Sequence, residues 1–212
     1  MGVFEFRRMS YLTKCCLILN PMKTHQLWPF SLIALAMLIW GVASCSDNLA
    51  KTSQVEEDPG YNPEAVLDSL GIELPTPSPP VANYVNAVQT GDLLFLAGKG
   101  PRKADGTNIT GKLGQDLSIE EGYAAGRLVA INHIGVLKAE LGDLKRVKRI
   151  VRVMGMVNSD PAFEDQPKVV NGYSDLMVTV FGDKGKHARA AVGMAALPGN
   201  IAVEVEAIVE IE

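Results

Sequence analysis

Near the C-terminus apolar and acidic positions alternate. Val203, Val205, Ala207, Val209 and Ile211 fall on one side of an extended chain, and Glu204, Glu206 and Glu210 on the other. This predicts a strand with one face in a core. Before it, residues 186–194 predict another strand, and Leu197-Pro198-Gly199-Asn200 is a turn signal. Paired as a hairpin, the two strands would bring Arg189 onto a face with Glu204. Upstream, Ser118-Ile119-Glu120-Glu121 has the spacing of a capping box, serine with glutamate three residues on. Ala124, Leu128, Ile131, Ile134, Leu137 and Leu141 then recur at helical steps up to Gly142. Branched residues predict a strand over 147–157, and a second long helix is expected over 167–181. Two short strands are expected at 84–89 and 93–97, separated by Thr90-Gly91-Asp92. Asn62-Pro63-Glu64 predicts the start of a short helix over 65–70, stopped by Gly71. Leu74-Pro75-Thr76-Pro77-Ser78-Pro79-Pro80 must be extended and stiff. Without the short helix the order is β-β-α-β-α-β-β, an α+β architecture with two helices packed on one face of a sheet.

The 212 residues divide unevenly. A mostly apolar run over 30–44 ends in small residues ahead of Cys45, and Lys23 and His25 precede it. That is the layout of a secretory signal, and the run falls short of the ~20 residues needed to span a bilayer. Val42-Ala43-Ser44-Cys45 resembles a lipoprotein lipobox, which would make Cys45 the acylated residue. Residues 1–45 are therefore read as signal peptide, with Met22 a well-placed alternative start. The polar stretch 46–60 reads as a flexible tether, and 61–212 as the globular domain. The expected location is the bacterial cell envelope, on the periplasmic or outer-membrane side, with membrane attachment through the lipid alone. All three cysteines, Cys15, Cys16 and Cys45, lie outside the domain. No thiolate site or disulfide framework is then available within it. Three histidines in the whole chain give no metal-ligand spacing. Net charge is −4 with no dense basic run in the domain, which argues against nucleic acid as a partner.

The domain's chemistry concentrates in the last two strands. Arg189 stands among the small residues Ala191, Gly193 and Ala195, a planar two-pronged cation with room beside it for a carboxylate. Glu204, with Glu206 as the fallback, could hold a water. His187 is read as facing away from Arg189 with a structural or solvated role, and His133 as structural.

Ala188-Arg189-x-x-Val192, the Leu197-Pro198 turn and Val203-Glu204-Val205-Glu206-Ala207 resemble the C-terminal signature of the reactive-intermediate deaminase (RidA/YjgF) family, most closely its chorismate-mutase-like or "putative endoribonuclease" branch. The resemblance extends over about residues 70–212. It implies a chorismate-mutase-like homotrimer with ligand clefts between subunits. It implies hydrolysis of a small 2-imino or enamine acid to a 2-keto acid and ammonia. No cofactor is needed, because an iminium carbon is already electrophilic. By the same resemblance Arg189 binds the substrate carboxylate and Glu204 positions water. Tyr84, Gly98 and Asn171 contact the ligand. Three positions depart from the family pattern: His187 replaces a common proline, Ala191 a common cysteine and Lys99 a common glutamine. The substrate is therefore expected to differ. A non-catalytic module binding a small carboxylate metabolite is the alternative, favoured by the predicted export. A ribonuclease finds no basic stripe or suitable histidine pair here, and chorismate mutase activity would rest on fold analogy alone.

Overall fold

The computed structural model describes residues 61–212, which lie in one unit of the chain. The expectations for residues 1–60, including the signal peptide, Cys45 and the tether, fall outside the described residues. Helix α1 (Pro63–Ser69) opens the domain, with Asn62 Oδ1 accepting from the Glu64 amide at 3.1 Å and proline at the first helical position. Strands β1 (Ala87–Thr90) and β2 (Leu93–Lys99) follow. Helix α2 (Ile119–Leu141) begins at the expected reciprocal cap: Ser118 Oγ accepts from the Glu121 amide and the Glu121 carboxylate accepts from the Ser118 amide. Strand β3 (Val147–Asn158), helix α3 (Gln166–Phe181), and strands β4 (Ala188–Met194) and β5 (Val203–Ile211) complete the chain.

The sheet order is β1-β2-β5-β3-β4. Strand β5 runs antiparallel to β2 on one side and to β3 on the other, while β4 pairs parallel with β3. The predicted β4–β5 hairpin does not form. A parallel β3–β4 pair needs a crossover, and α3 supplies it. The chain then passes β3 and returns on its far side. Alternation indicated which residues of β5 are buried, but not which strands it lies between. The first strand also begins later than predicted, at Ala87, so Tyr84 lies outside the ladder. Asn86 instead donates to the Ser78 carbonyl and accepts from Lys99 Nζ, tying the proline-rich lead to the end of β2.

The core lies between one sheet face and α2 and α3. Val203, Val205, Val209 and Ile211 of β5 are fully buried against Val129, Ile134 and Leu137 of α2 and Tyr173, Met177 and Val180 of α3. The two helices approach closely through glycine. A methyl at Gly172 would run into the Tyr123 carbonyl, and one at Gly126 would lie 2.7 Å from the Val169 carbonyl. The long β2–α2 connection is anchored too. Lys112 Nζ donates to Asn158 Oδ1 at 3.0 Å and to the Ala195 carbonyl at 2.6 Å, and Asn158 Nδ2 donates to Asn200 Oδ1 at 2.9 Å.

His133 is structural, as expected. It is fully buried and joins α2 to both neighbours: its ring nitrogens lie 2.9 Å from Tyr173 Oη and 3.1 Å from the Ala97 carbonyl. Because a carbonyl only accepts, Nε2 carries the proton and Nδ1 accepts from the tyrosine. Burial pushes its pKa down to about 4, outweighing the Ala97 hydrogen bond, with Lys99 adding to the depression.

Two outcomes follow for stability. Gly172→Ala should lower unfolding free energy by about 1–3 kcal/mol in urea denaturation, because backbone blocks the new methyl. His133 is neutral in both states at high pH. As pH falls below the unfolded value of about 6.5 the unfolded chain takes a proton that the folded chain refuses. Stability should therefore drop by roughly 3 kcal/mol between pH 6.5 and 4, and His133→Gln should flatten that part of the denaturation profile.

Candidate functional site

Arg189 sits on β4, an edge strand, opposite buried Val153 of β3, so its side chain emerges on the helix-covered side of the sheet. Its Nη1 donates to Asn171 Oδ1 and to Ser174 Oγ, both at 2.9 Å. Asn171 and Ser174 are three residues apart on α3 and therefore share a helix face. Among the described residues the other guanidinium nitrogens make no hydrogen bond, which leaves donors in a fixed fork for a planar anion.

Behind this fork stands His187. Its Nδ1–H donates to the Gly185 carbonyl at 2.7 Å, so Nε2 is an acceptor, and the Ser174 hydroxyl donates to it at 3.0 Å. The serine thus gives its proton to histidine and turns a lone pair toward arginine. The reading of His187 as facing away from Arg189 is overturned. Residues two apart on an extended chain share a side, and both side chains reach Ser174. Burial holds the His187 pKa below the ordinary value against the Gly185 bond, and the Arg189 charge adds to the depression. Ser174 and His187 are the site residues that sequence reasoning missed. The available signal was Ser174's spacing from Asn171.

Glu204 lies elsewhere. Its β5 position pairs with Met156 of β3, on the sheet face that α2 and α3 leave open. The carboxylate lies over Gly98 of β2, where a side-chain methyl would overlap it. Glycine is required there to admit the acid, not for an unusual backbone angle. Half-burial raises the Glu204 pKa above the ordinary carboxylate value, and Glu206 raises it further. Tyr84, 49% exposed, lies beyond the start of β1 and shares a cleft lining with Gly98. Within one chain, then, the predicted residues form two groups rather than one. Arg189 and Asn171 meet on the helix side of one edge, and Glu204 and Gly98 meet on the open face, with β3 between β4 and β5. The expected Arg189–Glu204 neighbourhood does not occur within the chain, because the strands that carry them are not paired. Among the described residues no group of three or more histidine, cysteine, aspartate or glutamate side chains could hold a metal.

A five-stranded mixed sheet carrying both long helices on one face is the architecture of the chorismate-mutase-like α+β proteins. The chain belongs to the YjgF family: the model described as "YjgF/chorismate_mutase-like, putative endoribonuclease" matches residues 64–211. Protein TCP17 of Trypanosoma cruzi is 47% identical over 148 residues, which span 69% of this chain and 92% of that protein. Among solved structures, Atu1372 of Agrobacterium tumefaciens, a protein described as of unknown function, is 42% identical with a TM-score of 0.67. The match covers 71% of this chain and 92% of that one. A "putative endoribonuclease" from Shewanella oneidensis MR-1 is 34% identical with a TM-score of 0.69, over 71% of this chain and all of that one.

The relay behind Arg189 is open to a direct check. In an NMR titration His187 should protonate below the ordinary histidine value as the Nδ1–H tautomer. Arg189→Ala should move that titration upward by removing a neighbouring positive charge. An unchanged midpoint would show that the two side chains do not sense each other, and a lower one that Arg189 does not act on His187 through its charge.

Proposed function

We propose that this protein hydrolyses a small 2-imino acid, in equilibrium with its enamine, to a 2-keto acid and ammonia, in clefts formed between copies of the chain. The observation that carries this reading is the half-saturated Arg189 fork, held by Asn171 and Ser174 and left with donors for a carboxylate. Arg189 grips the substrate carboxylate and Asn171 fixes the grip. The other half of the chemistry sits on the open sheet face. There Glu204, with its raised affinity for protons, takes one from water while the water oxygen bonds to the iminium carbon. The C–N bond then breaks, ammonia leaves with the proton returned, and the carbonyl forms. Such imines hydrolyse unaided, so positioning and a fixed counter-charge suffice for acceleration.

The division of the site supports assembly. Neither half is complete within one chain, and the open face exposes Val88 (56%) and Phe95 (40%) along a groove of about 410 Å³ that Arg152, Met154 and Ile208 also line. A second copy of this chain, docked so that its β4 edge meets the Gly98–Glu204 face, joins Arg189 to Glu204 and covers the apolar strip. A closed ring of three such contacts is the assembly we infer.

The test is ammonia release from a freshly generated 2-imino acid, read above its spontaneous hydrolysis. Arg189→Ala should lower the catalysed rate by roughly 10²-fold or more, and Glu204→Gln by a similar factor. Full activity in Arg189→Ala removes the carboxylate clamp. Full activity in Glu204→Gln alone transfers the water to Glu206. Absence of turnover in the unsubstituted protein, with keto acids still raising its melting temperature, would make the site a carboxylate-binding module instead.

A further inference from the structure

A second cleft, of about 700 Å³, opens on the helix side of β2 between the proline-rich lead and the loop that follows β2. Tyr84 and Gly98 form part of its lining, so it adjoins the Glu204 half-site. Lys99, Arg102 and Lys103 also line it, and among the described residues no carboxylate does. In a chain of net charge −4 this is a local inversion of sign.

The cations stand on fixed backbone. Asn132 of α2 donates to the carbonyls of Gly100 and Arg102, both at 3.1 Å. The loop closes on itself through the Lys103 amide to the Thr107 carbonyl at 2.8 Å and the Gly106 amide to the Lys103 carbonyl at 3.0 Å. The facing wall, which includes Pro75, Pro77 and Pro79, is stiff and pressed so tightly on α2 that a methyl at Gly135 would lie 2.6 Å from the Pro75 carbonyl. Lys99 is the innermost cation. It is half-buried, and its hydrogen-bond partner is the neutral Asn86 Oδ1 at 2.5 Å. Burial lowers its pKa, so an ammonium here is partly stripped of water without a counter-charge. Asp105, exposed on the same loop, is hydrogen-bonded to the Thr107 amide and hydroxyl and senses the Lys103 charge, which leaves Lys99 and Arg102 as the cations without a carboxylate partner among the described residues. An anion entering the cleft would meet a lining that carries three cations, of which Lys99 is half-buried and hydrogen-bonded to a neutral amide oxygen.

We propose that this cleft receives a second anionic group of the substrate, so that the compound hydrolysed is a 2-imino acid bearing a distal carboxylate or phosphate rather than an alkyl chain. The inference rests on the deaminase reading for the position of the reacting carbon. The cleft volume accommodates a carboxylate or phosphate together with the atoms that lead to it.

Calorimetry on the full chain tests it, with keto acids, the products of the proposed reaction, as probes: 2-oxobutanoate with one anionic group, 2-oxoglutarate with a second carboxylate, and 3-phosphonooxypyruvate with a phosphate. The unsubstituted protein should bind one or both doubly charged probes at least roughly tenfold more tightly than 2-oxobutanoate, the size expected of one or two charge-assisted contacts. Whichever gains more identifies the distal group. Lys99→Gln with Arg102→Gln should abolish the preference and leave 2-oxobutanoate binding unchanged. The single exposed variant Arg102→Gln should remove part of it, which guards against misfolding of the double variant. Equal affinity for all three probes in the unsubstituted protein, or a preference that survives the double substitution, overturns the proposal. Ammonia release reports on the deaminase reading separately. Anion preference without turnover keeps the cleft and drops the reaction, and turnover without anion preference does the reverse.

Discussion

Everything in this domain depends on β5 being laddered on both sides. It is the last strand in the chain and the middle strand of the sheet, with β2 and β3 as antiparallel neighbours. Its inward valines and Ile211 have no exposed surface, so each contributes on the order of 1.5–3 kcal/mol of apolar burial. The same strand turns its glutamates to the open face, where Gly98 leaves space for one of them. Core and chemistry are therefore alternate residues of a single segment. A one-residue slip of β5 would bury the acids and expose the valines together.

The other half of the site depends on how low α3 lies on the sheet. Gly172 lets α3 and α2 approach backbone to backbone, and Asn171 and Ser174 stand on either side of it in sequence. A bulkier residue at the contact would lift the helix and with it both oxygens that hold Arg189. His187 adds a second restraint, because its tautomer is set by the Gly185 carbonyl and in turn sets the direction of the Ser174 hydroxyl. Packing fixes the distance of the fork from the helix, and the hydrogen-bond chain fixes its orientation.

Much of this was legible in the sequence. Helix α2 announced itself by period and by its cap, and α3 was legible to within one residue of its start. The inward face of β5 could be read residue by residue. What could not be read was neighbourhood. Period two says which way a side chain points and is silent on the adjoining strand, so the Leu197-Pro198-Gly199-Asn200 turn reads as a hairpin in sequence, with Arg189 beside Glu204, whereas in the fold it carries the chain past β3. Lys112, Asn158 and Asn200 show the same limit. Each is an unremarkable polar residue in the sequence, and together they hold the long loop, the end of β3 and the β4–β5 connection in register.

A central strand that comes last also fixes the timetable of folding. Until Val203–Ile211 is available, β1–β2 and β3–β4 are two separate ribbons with facing edges unfilled, and the partners that fill them lie far apart along the chain, as with Leu93 and Glu210. Closing so long a loop costs chain entropy before the contacts are made, and pairing of this kind slows folding.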